Sequence, residues 1–241
     1  MLITSLENNK IKKYLKLKQK KYRDEMNLFL IEGEHLTLEA FNKNILVDLL
    51  VLEEYDCKFD FPYTIVSVDI MKKLSDMESI PKVIGVASIK SNQKIVGNRV
   101  LLLDDIQDPG NLGTIIRSSV AFNVTDIVLS LKTVDLYNEK VIRASQGMIF
   151  KINIIRDDLL TVIKNLKEKK YLILSTSVTN GVDAGCIVSN KYALIMGNEG
   201  SGVKKEISAM CDKNVYIEMN KECESLNVGV ATSIILYELN R

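Results

Sequence analysis

The sequence is poor in the residues that build metal and thiol chemistry. It has one histidine, His35, no tryptophan, and only three prolines in 241 residues. Its four cysteines (Cys57, Cys186, Cys211, Cys223) are scattered without a C-x-x-C pair. A zinc site or a Cys/His catalytic pair is therefore not expected, and the cysteines read as reduced structural thiols. His35 and the methionines are expected to pack. No run approaches the roughly 18 to 20 apolar residues of a membrane span, and MLITSLENNK has no basic cluster followed by an apolar stretch. The expectation is a cytoplasmic protein with no membrane partner and no metal.

What is present is a globular composition, 46% hydrophobic and 26% charged, with a net charge of only +1. The local charge distribution is uneven. From Lys10 to Arg23 there are eight basic residues and no acid, interleaved with Ile11, Tyr14, Leu15 and Leu17. Such a run is either a solvated helix face or an amphipathic helix that neutralises phosphates. Lys12, Lys13, Lys16, Lys20 and Arg23 are the candidate RNA contacts.

After this helix, strands and helices alternate. Strands are expected at 28–33, 47–52, 63–68 and 82–88, with helices over 34–43 and 69–77. This makes a small α/β unit, 1–95, and the polar stretch 90–98 reads as a linker. A second α/β series fills 99–241. Its strands, such as VLLLDDI, YALIMG and VYIEM, are continuous apolar runs, which argues for a parallel sheet covered on both faces.

Ligands of open parallel sheets bind beyond the carboxyl ends of the strands, so the loops after those three strands are the places for chemistry. In the first, DDIQDPGNLGTIIRSS, Pro109 and Gly110 suggest a turn and Asn111 a cap. Arg117 interrupts an apolar helix face; it either pairs with Asp104 or Asp105 or offers its fork of donors to a phosphate. In the second, IMGNEGSGV, three glycines flank Asn198 and Glu199. The loop lacks both the GK[ST] ending of a P-loop and the GxGxxG spacing of a dinucleotide fold, and its place near the chain's end disfavours a Rossmann-type enzyme. In the third, Ser225 can cap the last helix, with Asn227 in its first turn. That helix is apolar nearly all round, so it belongs either in the core or between two subunits.

In this order, PGNLGTIIR (109–117), MGNEGSGV (196–203) and ESLNVGVA (224–231) resemble the three motifs of the SpoU or TrmH family of SPOUT-superfamily RNA ribose 2′-O-methyltransferases. The resemblance extends over the whole chain, because FLIEGEHL and IPKVIGVAS are similar to the family's substrate-binding domain, which is related to a small ribosomal protein. It implies a C-terminal domain with a deep trefoil knot, a homodimer, and S-adenosylmethionine as cofactor. It places cofactor contacts on Gly197, Ile217 and Leu226, with Asn198, Gly200 and Met219 as neighbouring backbone. The catalytic set falls on Asn111, Arg117, Glu199, Ser225 and Asn227, and Arg143 matches an arginine used on RNA. The third motif departs from the family at Glu218, Lys221 and Gly229. The implied substrate is structured RNA, rRNA ahead of tRNA. The rival is a catalytically silent RNA-binding or ribosome-assembly factor on the same scaffold.

Overall fold

A computed structural model describes residues 2–90, 94–178 and 181–241. The stretch 91–93 of the expected linker lies outside the described residues. The chain divides into two compact units, one of 1–91 with 137–150 and one of 92–136 with 151–241.

The first unit opens with strand β1 (Leu2–Ile3), followed by two short helices, α1 (Asn9–Lys16) and α2 (Lys20–Met26). The basic run is thus not one helix. Asn8 starts α1 by accepting from the Lys10 N–H, and the apolar Ile11, Tyr14 and Leu17 turn inward. Arg23 is the exception to a solvated basic face: it is 5% exposed and donates to the Leu17 carbonyl at 2.8 Å, bracing the break between the helices. A contact between Arg23 and RNA is therefore corrected to a structural role.

Strand β2 (Leu28–Glu32), helix α3 (Glu34–Asn42), strands β3 (Leu46–Leu52) and β4 (Thr64–Val66), helix α4 (Val68–Leu74) and strand β5 (Val83–Ser88) follow. The five strands lie in the order β1-β4-β3-β5-β2, parallel through the first three and antiparallel through the last three. Ile11, Leu17, Leu50, Ile70, Met71 and Ile84 form the core between this sheet and the helices. His35 is exposed on α3 instead of packed.

The second unit holds a seven-stranded sheet built from β6 (Arg99–Leu103), β7 (Asp126–Leu129), β8 (Asn153–Arg156), β9 (Leu172–Thr176), β10 (Val182–Asp183), β11 (Tyr192–Met196) and β12 (Lys213–Tyr216). The order is β10-β12-β9-β11-β6-β7-β8, and every neighbouring pair is parallel. The Val100–Leu103 stretch, Asp126–Leu129 and the whole of β11 are buried, as strands covered on both faces must be. Helices α5 (Pro109–Ala121), α7 (Leu159–Glu168), α8 (Lys205–Ser208) and α9 (Val228–Asn240) connect or flank the strands. On one side Val162, Ile163 and Leu166 of α7 pack with Ile173 and Ile195; elsewhere α5 packs along α9, with Ser118 and Ser233 hydrogen-bonded at 2.6 Å.

The crossover from β7 to β8 carries helix α6 (Glu139–Ser145) and a 3₁₀ turn, Met148–Phe150. These residues follow 99 in sequence yet pack with the first unit. Tyr137 and Phe150 flank Phe29, with ring centroids 4.6 and 6.3 Å away, and Arg143 meets buried Glu32 at 3.3 Å.

Candidate active site

The loops after β6, β11 and β12 leave the same edge of the parallel sheet, because those strands all run one way. The first loop leads directly into α5. Asp108, rather than Asn111, is the N-cap: its carboxylate accepts from the Asn111 N–H at 2.7 Å, and Pro109 takes the first helical position. The Asn111 side chain is thereby released and points across to the second loop.

That second loop is closed on itself. Asn198 and Gly202 exchange backbone hydrogen bonds at 3.1 and 2.9 Å, and Asn198 Oδ1 accepts from the N–H groups of Gly200 and Ser201. A Cβ on Gly197 would lie 2.2 Å from the Gly202 carbonyl carbon and the Val203 nitrogen, so only glycine fits there. Gly202 itself has φ +68°.

Glu199 stands at the tip as a collector of donors. Its carboxylate accepts from the backbone N–H of Gln107 at 3.2 Å and of Asp108 at 3.1 Å, and from Asn111 Nδ2 at 3.1 Å. Asn227 then extends the chain of bonds: its Nδ2 donates to Asn111 Oδ1 at 2.8 Å, and its Oδ1 caps α9 by accepting from Gly229 N–H at 2.9 Å. Each amide has its donor and acceptor ends dictated by the next partner, so Glu199, Asn111 and Asn227 form one oriented relay. Partial burial alone would raise the Glu199 carboxyl, but the donors from Asp108, Asn111 and Gln107 outweigh it and hold the group below its ordinary range.

A second set of bonds fixes the base of the loop. Asp104, 1% exposed at the end of β6, receives the Lys204 backbone N–H at 2.9 Å and its ammonium at 2.8 Å. The same ammonium reaches Asp105 at 2.8 Å. The expected pairing of Arg117 with these acids is corrected: Lys204 takes them. Asn198 Nδ2 also donates to the Asp105 carbonyl at 2.9 Å. Sequence reading offered Asp104 only as a partner of Arg117 and missed Gln107 and Lys204, for which the DD pair at the end of an apolar strand was the one local signal.

The remaining expected residues are distributed as follows. Arg117, 1.7 turns beyond Asn111 on α5 at 3.6 residues per turn, is exposed and has no partner among the described residues. Asn227, not Ser225, is the N-cap of α9; Ser225 is exposed just outside it. Ile217, Met219 and Leu226 are half-buried, and Gly197 is buried. Of the cysteines, Cys186 and Cys223 are exposed, so they are not packing thiols, while burial pushes the Cys211 thiol up to about 11. Groups of three or more potential metal ligands do not occur among the described residues.

Residues 98–237 match the SpoU rRNA Methylase family, and residues 8–85 match the MRM3-like substrate binding domain. The chain is 36% identical to the 23S rRNA (guanosine(2553)-2′-O)-methyltransferase RlmP of Bacillus subtilis, over 98% of each chain. Among solved structures, the AdoMet-bound rRNA methyltransferase of Sinorhizobium meliloti superposes with a TM-score of 0.89 at 27% identity, covering 100% of this chain and 97% of that one. An RNA 2′-O ribose methyltransferase superposes with a TM-score of 0.86 at 26% identity, covering 99% and 98%. The matched stretch takes in all three loops joined by the Glu199, Asn111 and Asn227 relay, and the chain belongs to the SpoU rRNA methylase family.

Proposed function

We propose that this protein transfers a methyl group from S-adenosylmethionine to a ribose 2′-hydroxyl of rRNA. The observation that carries the reading is the relay itself: residues 111, 199 and 227, from three distant parts of the chain, meet in one hydrogen-bonded line at the carboxyl edge of a parallel sheet. The full-length similarity to an enzyme named for 23S rRNA supports rRNA over tRNA.

The residues around β11 and β12 suit the cofactor. Half-buried Ile217, Met219 and Leu226 offer apolar walls, while the backbone of 197–200 and 217–219 offers donors and acceptors. S-adenosylmethionine supplies an already activated methyl on a sulfonium, so the protein needs only to align and to ease departure of the 2′-hydroxyl proton. Glu199, held acidic, is a poor base at neutral pH; it fixes Asn111 and the two loops in register. Asn111 and Asn227 hold the reacting face, with Ser225 beside it. Arg117 keeps its proton, and its planar fork orients the hydroxyl or an adjoining phosphate.

Exposed Arg117 stands apart from the relay within one chain, and α9 presents Val230, Ile234 and Tyr237 along one exposed stripe at helical spacing. A homodimer that covers this stripe and brings Arg117 to the partner's relay accounts for both. The knotted C-terminus belongs to the same proposal, in keeping with the insertion of β11 between β9 and β6 and the return of α9 onto α5.

Residues 1–95 are the RNA-binding part of this reading, with the α6 segment packed onto them, and 99–241 the methyltransferase part. Lys12 and Lys20 are engaged by Glu7 and Asp24 in exposed pairs, whereas Lys13 and Lys16 have no carboxylate partner among the described residues. They are the first candidates for phosphate contacts. Arg143 meets Glu32 through Nη1 at 3.3 Å with its side chain partly exposed, and it is a further candidate for an RNA contact. The enzyme works in the cytoplasm, where ribosomes are assembled.

Calorimetry with S-adenosylmethionine and methyl incorporation into 23S rRNA against tRNA test the reading. Binding and incorporation into 23S rRNA are expected; no binding restores the silent assembly factor, and incorporation into tRNA alone redirects the substrate.

A further inference from the structure

A polar cavity of about 310 Å³ adjoins the relay in the second unit. Its lining includes Asp104, Asp105, Gln107, Lys132, Asn198 and Lys204. We propose that this cavity receives the base of the nucleotide whose ribose is methylated, with Gln107 and Lys132 reading its hydrogen-bonding edge. This rests on the methyltransferase reading above and adds a subsite to it.

Three observations carry the assignment. The first is charge. Asp104 and Asp105 are matched by Lys204 and Lys132, so the cavity is balanced, and a phosphate would face two carboxylates. A neutral ligand rich in donors and acceptors is favoured over an anion. The second is the state of the lining groups. Gln107 Nε2 donates to the carbonyls of Asp105 at 3.0 Å and Lys132 at 2.9 Å, which fixes the amide and leaves its oxygen as an acceptor with no donor among the described residues. The Lys132 ammonium likewise has no ion-pair partner among the described residues. The site therefore offers one preset acceptor and one free donor. The third is connectivity. Gln107 donates its backbone N–H to Glu199, and Asn198 precedes Glu199, so relay and cavity share a wall. In a ribonucleotide the 2′-carbon is bonded to the 1′-carbon that bears the base. A 2′-hydroxyl held at the relay puts its base within one sugar's reach, and this cavity lies there. Its volume is at the small end of ligand sites, roughly 300 to 1,000 Å³, as suits one unstacked base read by its edge.

The test is single-turnover methylation of a 23S rRNA fragment, prepared intact and with an abasic target nucleotide, by the wild-type protein, Gln107→Ala and Lys132→Ala. The target is first mapped with the wild-type protein on unmodified 23S rRNA. Gln107→Ala keeps the backbone N–H to Glu199, and S-adenosylmethionine calorimetry on each protein reports that the relay is intact. On intact RNA each variant is expected to lose roughly 5- to 30-fold in rate, the value of one hydrogen bond to a base. On abasic RNA the variants should match the wild-type protein within about twofold, since the partner is gone. Equal losses on both RNAs, or no loss on intact RNA, would overturn the base subsite while leaving the enzyme reading intact. A wild-type protein that neither binds the cofactor nor methylates the RNA defeats the enzyme reading itself.

Discussion

Glu199→Gln is the sharpest perturbation of the relay, because it changes charge and almost no volume. The carboxylate accepts from two backbone N–H groups and the Asn111 amide, with Asn198 Nδ2 a fourth, longer donor at 3.3 Å. A glutamine keeps one acceptor oxygen and turns an N–H₂ toward the rest, so about two of these donors lose their partner. At roughly 0.5 to 1.5 kcal/mol for each partly solvated bond, the loss is about 1 to 3 kcal/mol. For a chain of this length that lowers the melting temperature by roughly 3 to 10 °C. The effect on turnover should be larger than on stability. Asn111 is held by this carboxylate and in turn accepts from Asn227, so a loosened Asn111 disturbs the line, and a displacement of about 1 Å at a reacting face costs on the order of a hundredfold. Methyl incorporation measured beside thermal unfolding separates the two effects. A cycle with Asn111→Ala should show coupling of about 0.5 to 3 kcal/mol, since both substitutions break the same line. Wild-type turnover in Glu199→Gln, or strict additivity with Asn111→Ala, would refute the relay.

Further outcomes are expected. Gly197→Ala should destabilise by about 1 to 3 kcal/mol and abolish cofactor binding in calorimetry, because its Cβ meets backbone that cannot retreat. Lys204→Met should lower stability by about 1 to 3 kcal/mol in denaturant titration, leaving buried Asp104 only a backbone donor, with Lys204→Arg restoring part of it. Arg23→Ala should cost about 1 to 3 kcal/mol without changing RNA affinity, whereas Lys13→Ala and Lys16→Ala should each weaken RNA binding and flatten its salt dependence by about one unit of slope. The folded-state carboxyls of Glu199 and Asp105 lie below their ordinary values, so the stability they contribute is complete above about pH 4.5 and is lost as pH falls further. The Lys204 ammonium is raised, so its share is complete below about pH 10.5 and is lost above it. A flat stability profile below pH 4.5 would contradict the first of these.

The large elements were legible because each carries its pattern locally. Continuous apolar runs such as VLLLDD and YALIM declare a buried parallel sheet, and the three loops keep their motif spacing. What escaped depends on partners distant in sequence. The two-residue strands β1 and β10 exist only by pairing with β4 and β12. The basic run breaks at Leu17–Gln19 because its arginine turns inward onto a carbonyl, which a count of charges does not reveal. Asp108 and Asn227 displaced Asn111 and Ser225 as caps. The grouping of 137–150 with the first unit rests on aromatic packing around Phe29 and on a salt bridge across 111 positions of sequence. At the site, residue types gave Glu199 and Asn111 but not the direction of their bonds; that direction is set by Asn227, 116 residues further on.

The most direct test is a map of ribose 2′-O-methylation across rRNA in cells lacking this protein, repeated with the purified protein and S-adenosylmethionine added to the unmodified RNA. One ribose of 23S rRNA should lose its methyl group in the cells and regain it in the tube, but not with Asn111→Ala. An unchanged methylation map, or a mark restored equally by that variant, would contradict the assignment of activity to the relay.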